Sequence, residues 1–110
     1  MKAWLIAFAF TQAVEVPLYL LLLKSRIWPT RALHAFATSL LTHPLVWFVL
    51  PQVAPGPYWI QVVQLEAFAI AVEAIYLKLE REQRWLVPAL VANVASAGLG
   101  FLFRHLWGWP

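Results

Sequence analysis

The sequence predicts an all-α membrane protein, a bundle of four transmembrane helices, and three observations carry that reading. Of its 110 residues, 63% belong to the hydrophobic set and only 12% are charged, whereas an ordinary soluble domain has roughly 45–50% apolar and roughly 25% charged residues. A helix needs about 20 mostly apolar residues to cross about 30 Å of hydrocarbon, and four stretches of this chain are that long. The segments between them are short and rich in proline or charge, so residues 1–110 read as a single transmembrane domain. Soluble globular, disordered, disulfide-stapled and nucleic-acid-binding classes are excluded, because apolar residues dominate, no cysteine is present and no basic patch is continuous.

The first helix is expected from Ala3 to Leu23. Its apolar run continues past the Ala7-Phe8-Ala9 triplet and carries Glu15, so it reads as a spanning helix and not as a cleaved signal peptide. The second is expected from Ala32 to Leu50, after the basic segment 24–31, and the third from Tyr58 to Leu79, after the proline-rich turn 51–57. The fourth is expected from Trp85 to Phe103, after Glu80-Arg81-Glu82-Gln83-Arg84.

Lys and Arg beside the membrane set the expected orientation. Loops 24–31 and 80–84, with the adjoining end of the third helix, hold Lys24, Arg26, Arg31, Lys78, Arg81 and Arg84, and the opposite side holds only Lys2 and Arg104. Both loops are therefore expected on the cytoplasmic side, in a bacterial inner membrane, with both termini outside. Trp28 and Trp85 mark the inner interface; Trp4, Trp47, Trp59, Trp107 and Trp109 mark the outer one.

An internal repeat is expected as well. Ala13-Val14-Glu15 recurs as Ala71-Val72-Glu73, each followed by a tyrosine, and Ser39, Thr42 and Pro44 correspond to Asn93, Ser96 and Gly98. Each unit, about 1–51 and about 58–110, is then a two-helix hairpin. An even number of crossings leaves the two hairpins parallel, related by an axis along the membrane normal.

A polar residue at a helix centre costs roughly 2.5–3.5 kcal/mol if it faces lipid, so those within the spans are expected to meet inside. Counting 1.5 Å per residue from the outer boundary places Glu15, Ser39, Asn93 and Glu73 at a depth of roughly 15–22 Å, and Glu66, Thr42, His43 and Ser96 at roughly 10–14 Å. Glu66 and Glu73 lie seven residues apart, within about 20° of one helix face. Three carboxylates in so small a bundle cannot all stay ionised without partners, and no Lys or Arg shares their depth. The candidate binding residues for a proton, cation or substrate are therefore Glu15, Glu73, Glu66, Asn93, Ser39, Thr42 and Ser96. His43 with Glu66 is the candidate metal pair, and a bound cation is the one cofactor suggested. His34 and His105 read as interfacial. Pro17 and Pro44 remove amides that would bond Ala13 and Leu40, and so can kink their helices beside this site.

No G-x-S-x-G, H-E-x-x-H or phosphate-cradling loop occurs, so an enzyme is not indicated. The leading expectation is a proton- or cation-coupled transporter or channel. The alternatives are a non-catalytic subunit or assembly factor of a larger membrane complex and an intramembrane metal- or lipid-dependent enzyme. The expected partners are the lipid bilayer and further copies or subunits, with no nucleic acid. In length, four short-looped helices, a glutamate midway through the first helix and Lys24 near that helix's end, the chain resembles the small multidrug resistance transporters in architecture. It departs from their pattern in the third helix, which carries Glu66 and Glu73 and lacks their tryptophan and glycine signature.

Overall fold

The computed structural model describes residues 1–23, 27–82 and 84–108. Lys24 and Arg26, which enter the charge asymmetry, and Trp109 of the aromatic belt lie outside the described residues. Those described form four long helices and no strand. They are α1 (Lys2–Leu22), α2 (Trp28–Pro44), α3 (Tyr58–Leu79) and α4 (Leu86–Trp107). Each is part of a span long and apolar enough to cross a membrane, and the principal extents of 38 × 28 × 22 Å match a bundle about one bilayer tall.

The ends follow local chemistry. Pro29 in the first turn of α2 has no amide to leave unsatisfied, which starts that helix at Trp28, four residues before the expected Ala32. Its α-form also ends early, at Pro44. The missing amide of Pro44 leaves Leu40 without its usual donor, and the chain relaxes through a π-helical turn, Leu45–Val49, and a 3-10 turn, Leu50–Gln52. Pro17, by contrast, sits inside an uninterrupted α1. Helix α4 runs to Trp107, beyond the expected Phe103, and stops where Gly108 turns left-handed at φ 67°.

α1 packs on α2 and α4, and α3 packs on the same two helices from the other side, so the four form a ring. Toward loops 24–31 and 80–84 the ring is solid. Tyr19, Leu23, Ala35, Ala74, Leu77, Ala89 and Ala92 form its buried core, with alanines where the backbones come close. Helix α3 ends there with Arg81 at φ 60°, and the Glu82 amide bonds back to the Leu77 carbonyl. That turn tucks Glu82 under the bundle. Arg31 closes the end of α1 by donating to the Leu20 carbonyl at 2.8 Å.

Candidate functional site

In the other half of the ring a cavity of about 300 Å³ replaces the core. All of the candidate residues line it: Glu15 from α1, Ser39, Thr42 and His43 from α2, Glu66 and Glu73 from α3, and Asn93 and Ser96 from α4. Phe10, Thr11, Tyr58, Val62, Leu65, Ala69, Phe101 and Arg104 complete much of the wall. Arg104 and Tyr58 come from the helix ends on the side of the termini and the 51–57 turn, so the cavity faces that side, and the Tyr19–Leu77 core lies beneath its floor.

The floor is built from two buried carboxylates. Glu15 (2% exposed) receives two hydroxyl protons: Ser39 Oγ donates to its Oε2 at 2.7 Å and Ser96 Oγ to its Oε1 at 2.8 Å. The Ser96 hydroxyl has a second acceptor, the Asn93 carbonyl at 3.2 Å, and its single proton serves one of the two at a time. Glu73 (1% exposed) is placed differently. Asn93 Nδ2 donates to its Oε2 and with its other N–H to the Ala89 carbonyl, but Glu73 Oε1 is buried with no donor among the described residues. A buried carboxylate oxygen without a donor is expensive, and this one is closed off from the cavity above it.

Thr42 lines the cavity, but its proton goes to the Thr38 carbonyl, so only its lone pairs are available there. Glu66 is half-buried higher in the wall, two turns above Glu73 on α3. His43 occupies an aromatic surround: its ring stacks on Trp47 at 6.1 Å between centroids, meets Phe8 edge-on at 5.2 Å and tilts against Trp4 at 6.0 Å. Thr11 Oγ1 lies 3.4 Å from His43 Nε2. For the metal pair His43 and Glu66, the donor set is thin, because no three His, Asp or Glu side chains converge among the described residues.

Three further residues have contacts that the sequence reading did not single out. His34, read as interfacial, is buried: its Nδ1 lies 3.1 Å from the Tyr76 hydroxyl and its Nε2 lies 3.9 Å from Glu82, which the chain turn at Arg81 brings over it. Thr11 belongs to the cavity wall, and the signal for it was its four-residue spacing from Glu15, which puts both on one face. Arg104, used above only as a flanking charge, lies on the mouth.

Known protein families, curated proteins and solved structures contain no match to this chain. The likeness to small multidrug resistance transporters accordingly remains one of length, helix number and the placement of one glutamate. The geometry of the cavity carries the functional reading by itself.

Proposed function

We propose that this protein is a small cation-binding membrane carrier, taking a proton or another cation from the side of its termini onto Glu73, with Glu15 beside it on the floor of the cavity. The single observation that supports it most is the gathering of Glu15, Glu66 and Glu73 around one cavity inside the membrane spans. Carboxylates within a membrane span are costly and mark ion or substrate paths, and the only basic residue among the cavity-lining groups other than His43 is Arg104 at the mouth. The packed core around Tyr19 and Leu77 argues for a carrier that must rearrange and against an open pore. The helix break after Pro44, at the level of the upper cavity, is a natural place for that movement.

On this reading the hairpin loops 24–31 and 80–84 face the cytoplasm of a bacterial inner membrane and both termini lie outside, by the Lys and Arg asymmetry. The hairpins are two copies of one unit, and the apolar outer faces of the helices serve for contact with lipid or further copies. The test is proton and cation flux into proteoliposomes loaded with a pH-sensitive dye, under an imposed membrane potential. Protein-dependent flux is expected in wild type and is expected to fall to the empty-vesicle rate in Glu73→Gln. Flux absent from wild type, or untouched by Glu73→Gln, overturns the carrier reading and leaves a non-catalytic subunit of a larger complex.

A further inference from the structure

Resting on the cation-site reading, the bound ion can be identified from three side chains that meet at the cavity floor. Tyr19 from α1, Thr38 from α2 and Glu73 from α3 are all at most 1% exposed. Thr38 Oγ1 stands beside both the Tyr19 hydroxyl and the Glu73 carboxyl. A threonine hydroxyl has one proton to give and two lone pairs to offer, and the proton of Thr38 goes to the Ala35 carbonyl at 2.9 Å. Toward its two neighbours Thr38 is therefore an acceptor. Those neighbours, the Tyr19 hydroxyl and Glu73 Oε1, are both without a hydrogen-bond partner among the described residues, and buried polar atoms are rarely left so. An ionised Glu73 sets a carboxylate oxygen against the lone pairs of Thr38, whereas a protonated one has an O–H to give them.

We infer that the ion held at the floor is a proton, carried on Glu73 as a neutral carboxyl group whose Oε1–H donates to Thr38 Oγ1, while the Tyr19 hydroxyl donates to the other lone pair of the same oxygen. Glu73 Oε2 accepts from Asn93 Nδ2, so each polar atom of the set has a partner. Because Oε1 is closed off from the cavity, a hydrated metal ion or an ammonium group has no way to it. No three acidic or imidazole side chains converge to hold a bare metal ion among the described residues. A proton needs no such room. It arrives on the cavity side as hydronium, forms an O–H bond with the Glu73 carboxylate and leaves one water behind, and rotation of the now neutral carboxyl group turns that O–H toward Thr38. The titratable groups that face Glu73 are Glu15 and Tyr19 from α1 and Glu66 above it on α3; α2 adds His43 higher in the wall, and α4 meets it with the uncharged Asn93. Thr38 is thus a positioning residue for the proton.

The experiment is infrared difference spectroscopy of the full chain in lipid bilayers at pH 7, comparing wild type with Glu73→Gln, Thr38→Val and Thr38→Ser. Wild type is expected to show a protonated-carboxyl C=O band that disappears in Glu73→Gln. The band is expected to move to higher wavenumber in Thr38→Val, where the acceptor is gone, and to return to its place in Thr38→Ser. Added sodium or potassium chloride is expected to leave it unchanged. Absence of the band from wild type overturns the inference, because Glu73 is then ionised and Thr38 or Tyr19 serves it as a donor. A band that survives Glu73→Gln, or that Thr38→Val does not move, overturns it as well. Loss of the band on adding sodium overturns the choice of a proton while leaving the cation site standing. The band as expected, with no flux in proteoliposomes, overturns the carrier reading alone. Wild-type spectra with and without salt keep the inference open to refutation even if a variant fails to fold.

Discussion

Glu15 and Glu73 each sit in an Ala-Val-Glu triplet, and each is bonded to the helix that follows its own, by Ser39 and by Asn93. They differ at the second oxygen. Ser96 reaches across from α4 to give Glu15 Oε1 a donor, whereas Thr42, the residue that corresponds to Ser96 in the proposed alignment of the hairpins, gives its proton to the Thr38 carbonyl. Threonine within a helix readily bonds the carbonyl one turn back, and its branched side chain has few other rotamers. One methyl group thus goes with the difference between a carboxylate that ties three helices together and one that keeps an oxygen without a donor. The lesson is that equal residues in equal triplets can end in different hydrogen-bond surroundings through a single neighbour.

The contrast can be broken most directly by truncation. Glu15→Ala removes the shared acceptor of Ser39 and Ser96 and should cost about 2 kcal/mol of stability, read as steric-trap unfolding in bilayers; a larger loss in Glu73→Ala would reverse the assigned roles. Next in size is cation uptake. Glu73→Gln should lower it by about tenfold or more, and Glu15→Gln, whose amide can still accept from one serine, by a smaller factor in the same proteoliposome assay. A smaller effect sharpens the Ser96 bond: a double-mutant cycle of Ser96→Ala with Glu15→Gln should return a coupling of about 0.6–1.7 kcal/mol, and a value near zero would mean that Ser96 spends its proton on the Asn93 carbonyl. Smallest of all, Thr42→Val should shift stability by less than about 0.5 kcal/mol, because the hydroxyl bonds only its own helix; a large loss would show that it bonds Glu73 instead.

Much of the bundle is legible in the chain because bilayer thickness constrains helix length so strongly. Helix α3 falls between Pro57 and Glu80 as expected, with breakers on both sides. Helix α2 was harder. Hydropathy carries on smoothly through Leu45–Leu50, but the missing amide of Pro44 changes the backbone from α to π there without changing its polarity. For the site, depth along each helix can be counted from residue numbers, which is why the polar residues group together in the sequence alone. Which oxygen is left without a donor cannot be counted. It depends on the rotation of α4 against α1 and on whether Thr42 bonds backward or across, and neither leaves a mark in a linear pattern. The partners of His34 were hidden for a related reason: Glu82 covers it only because the chain reverses at Arg81, a left-handed turn at a residue type that does not advertise one.

The reversal at Arg81 has a mechanical meaning. At the solid end of the bundle, the contacts of His34 with the Tyr76 hydroxyl and Glu82 are ones that water can replace one for one, whereas parting Tyr19, Leu23 and Leu77 exposes tightly packed surface with no substitute partner. The polar clasp is therefore the easier of the two to undo, and the apolar stack carries most of the resistance to parting this end of the bundle.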